Sequence, residues 1–161
     1  KDRLEVVADR VRSDIGPTVE TVAADLADTA DLARVEALLR EDARVTTLVN
    51  NAGVGATGPL LQSDVNKMSA MIALNTDALM RLTYAAVPGF VERGSGTIIN
   101  ISSIVAIGPE ILNGVYGGTK AFVLAFSQSL KHELADKGVT VQVVIPGATA
   151  TEFWGIAGTP V

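Results

Sequence analysis

Four short apolar runs punctuate this chain, and each ends on small polar residues or on Pro-Gly. Val19 to Ala24 stops at Asp25, Thr46 to Asn50 at Asn51-Ala52-Gly53, Thr97 to Ile101 at Ser102-Ser103, and Val139 to Ile145 at Pro146-Gly147. Runs of that length rich in Val, Ile and Thr read as strands. Between them lie stretches with apolar residues at helical spacing. Leu4, Val7, Ala8 and Val11 mark a first helix over Lys1 to Ser13, stopped by Ile15-Gly16-Pro17. Leu32, Val35, Leu38 and Leu39 mark a second, opened by cap-type residues between Asp28 and Asp31. The longest helical pattern opens at Ser63 and Asp64 and runs to Glu92, with a bend expected at Pro88-Gly89. Phe122, Phe126, Leu130 and Leu134 mark the last, over Tyr116 to Lys137.

Strands alternating with helices imply right-handed βαβ units and a parallel sheet. The fold class is therefore α/β, a doubly wound sheet with helices on both faces, and the near-continuous apolar strands suit that burial. The 161 residues make one domain, 1–161, without an internal repeat or an inter-domain linker. Folding a chain of 16.7 kDa removes about two thirds of its extended surface from water, and 48% apolar residues can fill the core.

Composition narrows the function classes. A formal charge of −5 and no basic stripe argue against a nucleic-acid surface. Zero cysteines exclude disulfides and thiolate metal sites, which suits a cytoplasmic setting. The single histidine, His132, rules out His-rich zinc chemistry, and it stands on a polar helix face where it reads as solvated. Lys1 to Arg12 alternates charged and apolar residues, unlike a signal peptide, and no run approaches membrane-helix length. No metal and no membrane partner is expected.

Ligands of such sheets bind beyond the carboxyl ends of the strands. Asp25, Asn50 to Gly53, Ser102-Ser103, and Pro146-Gly147 with Thr149 and Thr151 all stand there. Taken singly they are as well explained by turn chemistry. Tyr116-Gly117-Gly118-Thr119-Lys120 is sharper, because residues four apart share one helix face. An ammonium about 5 Å from a phenolate stabilises it by roughly 3 kcal/mol at an effective dielectric of about 20. That would hold the Tyr116 phenol below its ordinary value and ready for proton exchange. A buried tyrosine beside a snorkelling lysine gives the same pattern and on the pair alone is preferred. Ser103 shifts the balance, since it closes the strand whose crossover leads into the Tyr116 helix.

Asn50-Asn51-Ala52-Gly53 after a strand, Asn75 in the next helix, Ser103 at the next strand end, Tyr116-x-x-x-Lys120, and Pro146-Gly147 after the next strand together resemble the short-chain dehydrogenase/reductases. The resemblance runs from about Leu4 to Phe153. It implies a Rossmann-like, NAD(P)-binding domain that moves a hydride between NAD or NADP and a secondary alcohol or ketone. Tyr116 would be the general acid for reduction and the base for oxidation, Ser103 would polarise the carbonyl, and Lys120 would lower the phenol's pKa and bind the ribose. Asn75 would hold a water in a proton relay. Asp25 would meet the adenine amino group, Asn51, Ala52 and Gly53 would line the ribose, and Pro146, Gly147, Thr149 and Thr151 would fix the carboxamide. Thr149 replaces the family's usual branched aliphatic residue, and Thr119 its commoner serine.

The same resemblance implies a first strand and a Thr-Gly-x-x-x-Gly-x-Gly phosphate loop, which this segment does not carry, and a C-terminal part beyond it. On that reading the run at Val19 is the third strand, at one edge, and those at Thr46, Thr97 and Val139 are the fourth to sixth. Two intervening strands would hold the third and fourth roughly 14 Å apart. A non-catalytic binding or regulatory module of the same fold is the alternative function, and an epimerase with the same Tyr-Lys pair would need a further substrate domain. Met68, Met71, Met80, Leu124 and Phe126 leave the helices at 64–92 and 116–137 apolar on more than one face, which implies a homodimer or homotetramer through them. Ile104, Val105, Ile107, Ile111, Leu112, Phe153 and Trp154 suggest an apolar wall for a small-molecule alcohol or carbonyl substrate.

Overall fold

A computed structural model describes residues 2–16, 18–111, 113–149 and 153–157. Helix α1 (Asp2–Ile15) and helix α2 (Thr29–Glu41) precede the first strand, β1 (Thr47–Asn50). A long helical rod follows as α3 (Val65–Ile72), a π-turn (Ala73–Ala78) and α4 (Leu79–Arg93). Then come β2 (Gly96–Ile101), α5 (Gly114–Glu133), β3 (Val139–Val144) and a short α6 (Phe153–Ala157). The strands lie side by side in the order β1-β2-β3, all parallel, with Thr47 opposite Thr97 and Gly96 opposite Val139. The three strands expected at Thr46, Thr97 and Val139 are thus adjacent neighbours, as expected.

Local chemistry sets the helix ends. Asp28 caps α2 by accepting from Ala30 and Asp31 N–H, and Asp64 caps α3 by accepting from Asn66 N–H. Asn113 caps α5 by accepting from Val115 and Tyr116 N–H, so that helix starts two residues before Tyr116. The rod continues through Pro88 and ends at Gly94, whose φ of 63° is left-handed. Gly138, at φ 72°, lies so close that a Cβ on it would collide with the Gly94 carbonyl. The turn after α4 and the turn before β3 therefore stack backbone to backbone.

Side chains alternate along the strands. Leu48, Ile98, Val139 and Val141 point to a core completed by Leu32 of α2, Leu82 and Phe90 of α4, and Leu130 of α5. On the opposite face Val49 and Val144 are 52% and 44% exposed. Helices were expected on both faces; α2, α4 and α5 cover the face that carries Leu48, Ile98 and Val141. A polar bar crosses the core at the level of the strand ends. Asn50 Nδ2 donates to Thr83 Oγ1 (3.0 Å) and to Asn100 Oδ1 (2.9 Å), and Asn100 Nδ2 donates to Ser127 Oγ (2.9 Å). Among the described residues, every buried side-chain nitrogen and oxygen has a partner.

The strand expected at Val19 to Ala24 does not form. No strand pairing involves it, and it neither joins Thr46 nor stands as a separate edge. Side chains of the flanking helices take its backbone carbonyls instead: Arg12 of α1 donates to Val19 O and Arg34 of α2 to Ala23 O, each at 2.8 Å. Thr21 adds a hydroxyl bond to the Glu5 carboxylate.

Candidate active site

The strand ends converge on the first turns of α5. Tyr116 and Lys120 stand one turn apart, only 5% and 7% exposed, and Lys120 Nζ is 5.9 Å from the phenol ring centroid. Lys120 Nζ also donates to the Ile101 carbonyl at the end of β2 (3.0 Å). The adjoining Ser102 Oγ donates back to the Lys120 carbonyl (2.8 Å). Sheet and helix thus hold each other through two bonds within one turn of the phenol. Ser103, the next residue, lines the same cavity as Tyr116, and its hydroxyl draws the phenol's pKa down.

Burial governs both ionisable groups. It pushes the Tyr116 phenol above its ordinary value of 10.0, and the Ser103 hydroxyl opposes it without prevailing. Burial also pushes the Lys120 amine down from 10.5. The lowered phenol expected from the Tyr-Lys spacing is therefore not the direction found. Nζ is turned to the Ile101 carbonyl, and desolvation outweighs what remains.

Asn75 sits in the π-turn, a geometry often associated with functional sites. Its Oδ1 accepts from Val54 N–H (2.9 Å), and its Nδ2 donates to Val54 O (2.8 Å) and Thr119 Oγ1 (3.1 Å). The loop after β1 is thereby fastened to both long helices. Gly53 fits this packing closely: a Cβ there would lie 3.1 Å from Asn75 Oδ1 and 3.6 Å from Lys120 Nζ.

A cavity of about 500 Å³ opens over these groups. Of the residues singled out from the sequence, Asn51, Gly53, Ser102, Ser103, Tyr116, Lys120, Pro146, Gly147 and Thr149 line it, as do Ile104, Val105, Phe153 and Trp154 of the expected apolar wall; Leu112 lies outside the described residues. Asn75 lies directly behind Gly53. Ala52 instead lines a smaller apolar hollow of about 210 Å³ against Leu26 and Leu79. Asp25 is exposed outside the main cavity, its carboxylate accepting from Ala27 N–H. Thr151 lies outside the described residues.

Helix α6 roofs one side of the cavity. The Phe153 ring packs 5.8 Å from the Tyr116 ring, and Trp154 meets Phe153 edge-on at 5.4 Å. Trp154 Nε1 donates to Thr149 O (2.9 Å). Ala157 O accepts from both the N–H and the hydroxyl of Thr57 (3.2 and 3.0 Å). A Cβ on Gly55 would collide with the Phe153 ring.

Several contributors were not singled out from the sequence. Asn100 had a visible signal, since an amide interrupts an otherwise apolar strand. Asn113 had a weaker one: besides capping α5, its Nδ2 donates to Gly58 O (2.7 Å) and Ser63 Oγ (3.2 Å), 50 or more residues away. No local pattern marks Gly55, because its role is set by a ring nearly a hundred positions later.

Comparison with known proteins places this geometry. The family model described as short chain dehydrogenase matches residues 1–158. Serine 3-dehydrogenase of Rhizobium radiobacter is 36% identical over 154 residues, covering 94% of this chain and 60% of that protein. A solved short-chain dehydrogenase from Sphingobium yanoikuyae, in complex with NADPH, is 49% identical with a TM-score of 0.96. That match covers 99% of this chain and 62% of the other. The bulky-bulky ketone specific alcohol dehydrogenase from Comamonas testosteroni is 43% identical with a TM-score of 0.90, covering 93% and 60%. The chain thus spans about three fifths of the length of each of these relatives.

Proposed function

The chain belongs to the short-chain dehydrogenase family, and from that premise we propose that it carries the catalytic and nicotinamide-side residues of an NAD(P)-dependent oxidoreductase interconverting a secondary alcohol and a ketone. The observation that carries this reading is the buried Tyr116 phenol, flanked one turn on by Lys120 and sharing the wall of an open cavity with Ser103.

The cavity suits a nicotinamide nucleotide. Gly53 and Gly147 keep its floor free of side chains, and around Gly147 nothing stands within 4 Å of where a Cβ would be. The NADPH held by the Sphingobium relative supports the same choice, with NAD or NADP in the role. When bound, the nicotinamide supplies a hydride to the carbonyl carbon or accepts one from the alcohol carbon. Asn51, Ala52 and Gly53 would line the ribose, Asp25 the adenine, and Pro146, Gly147, Thr149 and Thr151 the carboxamide.

The remaining work falls to this chain. Ser103 donates a hydrogen bond to the substrate oxygen and draws charge onto it. Tyr116 would give its hydroxyl proton to that oxygen, which becomes the alcohol hydroxyl, and would be left as phenolate. In the other direction the phenolate takes the proton back. Lys120 stabilises the phenolate and holds the ribose hydroxyls, and Asn75 holds the Val54 loop and a relay water. Burial of the phenol keeps it protonated across neutral pH, which suits the reductive direction.

The partner is a small-molecule alcohol or carbonyl compound, in a cytoplasmic protein that binds no nucleic acid. Among the described residues no helix is long and apolar enough to cross a membrane. Self-association through the rod and α5 belongs to the same reading. Val65, Ile72 and Tyr84 on the rod are 72%, 48% and 69% exposed, and on α5 the stacked Phe122 and Phe126 rings lie 5.6 Å apart. Sedimentation should give a dimer or tetramer.

The enzymatic reading is tested by following reduced-nicotinamide absorbance with full-length protein, both cofactors and a panel of ketones. Tyr116→Phe should lower turnover about a hundredfold or more while nucleotide binding persists. A variant retaining more than about a tenth of the wild-type rate would remove Tyr116 from the mechanism.

A further inference from the structure

The roof of the cavity is built by two segments far apart in sequence. The loop after β1 supplies Gly55 and Thr57, and α6 lies on it at both ends, Phe153 against Gly55 and Ala157 O against Thr57. The missing Cβ of Gly55 is what lets the Phe153 ring lie down beside the loop. In that place it packs 5.8 Å from the reacting phenol at an interplanar angle of 43°, with Trp154 edge-on behind it. Val54, Ile104 and Val105 line the same cavity.

The charge pattern is equally selective. Among the described residues lining this cavity, Lys120 is the one charged side chain, and its Nζ is engaged with the Ile101 carbonyl. Among the described residues a substrate carboxylate or sulfonate would be desolvated here with only that one, already engaged, ammonium to meet it, which is costly. A flat apolar group finds ring faces and edges at the spacing that aromatic pairs favour.

We propose that Phe153, seated on Gly55, is a specificity-determining residue that selects neutral ketones and secondary alcohols carrying an aryl group beside the reacting carbon. This rests on the oxidoreductase reading above and goes beyond it by naming the substrate class. The aryl ring lies against Phe153 and the aliphatic wall, while the oxygen meets Ser103 and Tyr116. Gly55 acts at one remove, as a positioning residue for the Phe153 ring.

Full-length protein with NADPH and with NADH is assayed on acetophenone, butanone and phenylglyoxylate. Acetophenone should exceed butanone in kcat/KM by about tenfold or more, the scale of an aromatic contact plus apolar burial. It should also exceed phenylglyoxylate, which keeps the aryl group and adds a carboxylate. Phe153→Ala should erase most of the acetophenone-to-butanone ratio, and so should Phe153→Leu, which keeps apolar volume and removes the flat ring. Gly55→Ala should reduce the same ratio with Phe153 present, because the ring can no longer seat. Nucleotide binding by each variant reports that it is folded. Preference for phenylglyoxylate or butanone, or a ratio unchanged in either Phe153 variant, overturns the substrate class and leaves the oxidoreductase standing. Failure to reduce any probe while nucleotide still binds overturns the oxidoreductase and this assignment with it.

Discussion

Asn75 and Val54 are bonded to each other twice, the carboxamide oxygen accepting from the Val54 N–H and the carboxamide nitrogen donating to the Val54 carbonyl. One side chain thus replaces a strand partner for a residue that has left the sheet. It fixes the height of the loop between Gly53, beside Lys120, and Gly55, beneath Phe153. The further bond to Thr119 ties that loop to the helix bearing the phenol.

Asn75→Ala should therefore act on stability and turnover together. The part-buried Val54 backbone groups lose their partner, and Thr119 Oγ1 loses a donor while keeping its bond to the Tyr116 carbonyl, at a cost of about 1–3 kcal/mol. Urea denaturation should show that loss, and kcat should fall with it. A variant of unchanged stability would mean that water or a neighbouring side chain replaces the amide fully.

Lys120→Met keeps the length of the side chain and removes its charge and its bond to Ile101. Both kcat and the nucleotide KM should worsen, whereas Tyr116→Phe should spare nucleotide binding. Stopped-flow measurement of nucleotide binding separates the two. Equal nucleotide affinity in both variants would confine Lys120 to the phenol.

The phenol's titration carries a definite sign. Burial raises the Tyr116 pKa and the Ser103 hydroxyl lowers it, so Ser103→Ala should raise it further. In a Tyr84→Phe background Tyr116 is the one phenol left in this sequence, and ultraviolet titration reads it directly. Reduction needs the protonated phenol, so its rate should fall at alkaline pH, and that limb should move upward in Ser103→Ala. A downward movement would show that Ser103 is not a donor to the phenol oxygen.

Glu36 of α2, 4% exposed, accepts from Arg40 and from Arg81 of α4. Burial pushes its carboxyl up, but the two arginine bonds outweigh this and leave it below 4.5. Its contribution to stability is therefore present above the unfolded value and is lost as pH falls through the folded one. Glu36→Gln should cost about 1–3 kcal/mol at neutral pH, less than a fully buried pair because both arginines reach solvent. The gap between variant and wild type should close in acid. A gap of the same size at low pH would assign the loss to packing instead.

The sequence makes visible those parts that depend on neighbours in the chain. Asp28, Asp64 and Asn113 work within their own helix turns, and the Tyr116–Lys120 pair needs only a helical repeat. The ordered set from Asn50 to Gly147 points to the family and hence to one cavity, which Asn51, Gly53, Ser103, Tyr116, Lys120, Pro146 and Gly147 line. The run at Val19 misleads because β-branched composition reports a wish for burial, whereas a strand also needs a ladder partner. Here arginines from α1 and α2 take its carbonyls. The direction of the phenol's shift misleads for a similar reason: spacing shows the proximity of Lys120 but not the depth of burial or the pull of Ile101. Gly55 acts through a contact that no local pattern encodes.

The polar bar from Thr83 through Asn50 and Asn100 to Ser127 divides this molecule into what can drift and what cannot. Each amide serves two elements at once, so a change at one asks for a matching change at another in a region that offers no solvent as a substitute. Among the described residues, the segments at 54–57 and 146–149 and helix α6 share no hydrogen bond with that bar. A descendant sequence could exchange the roof of its cavity while inheriting the proton-transfer apparatus beneath it intact. New specificities would then arise by short steps in two loops, on a frame that remembers only one chemistry.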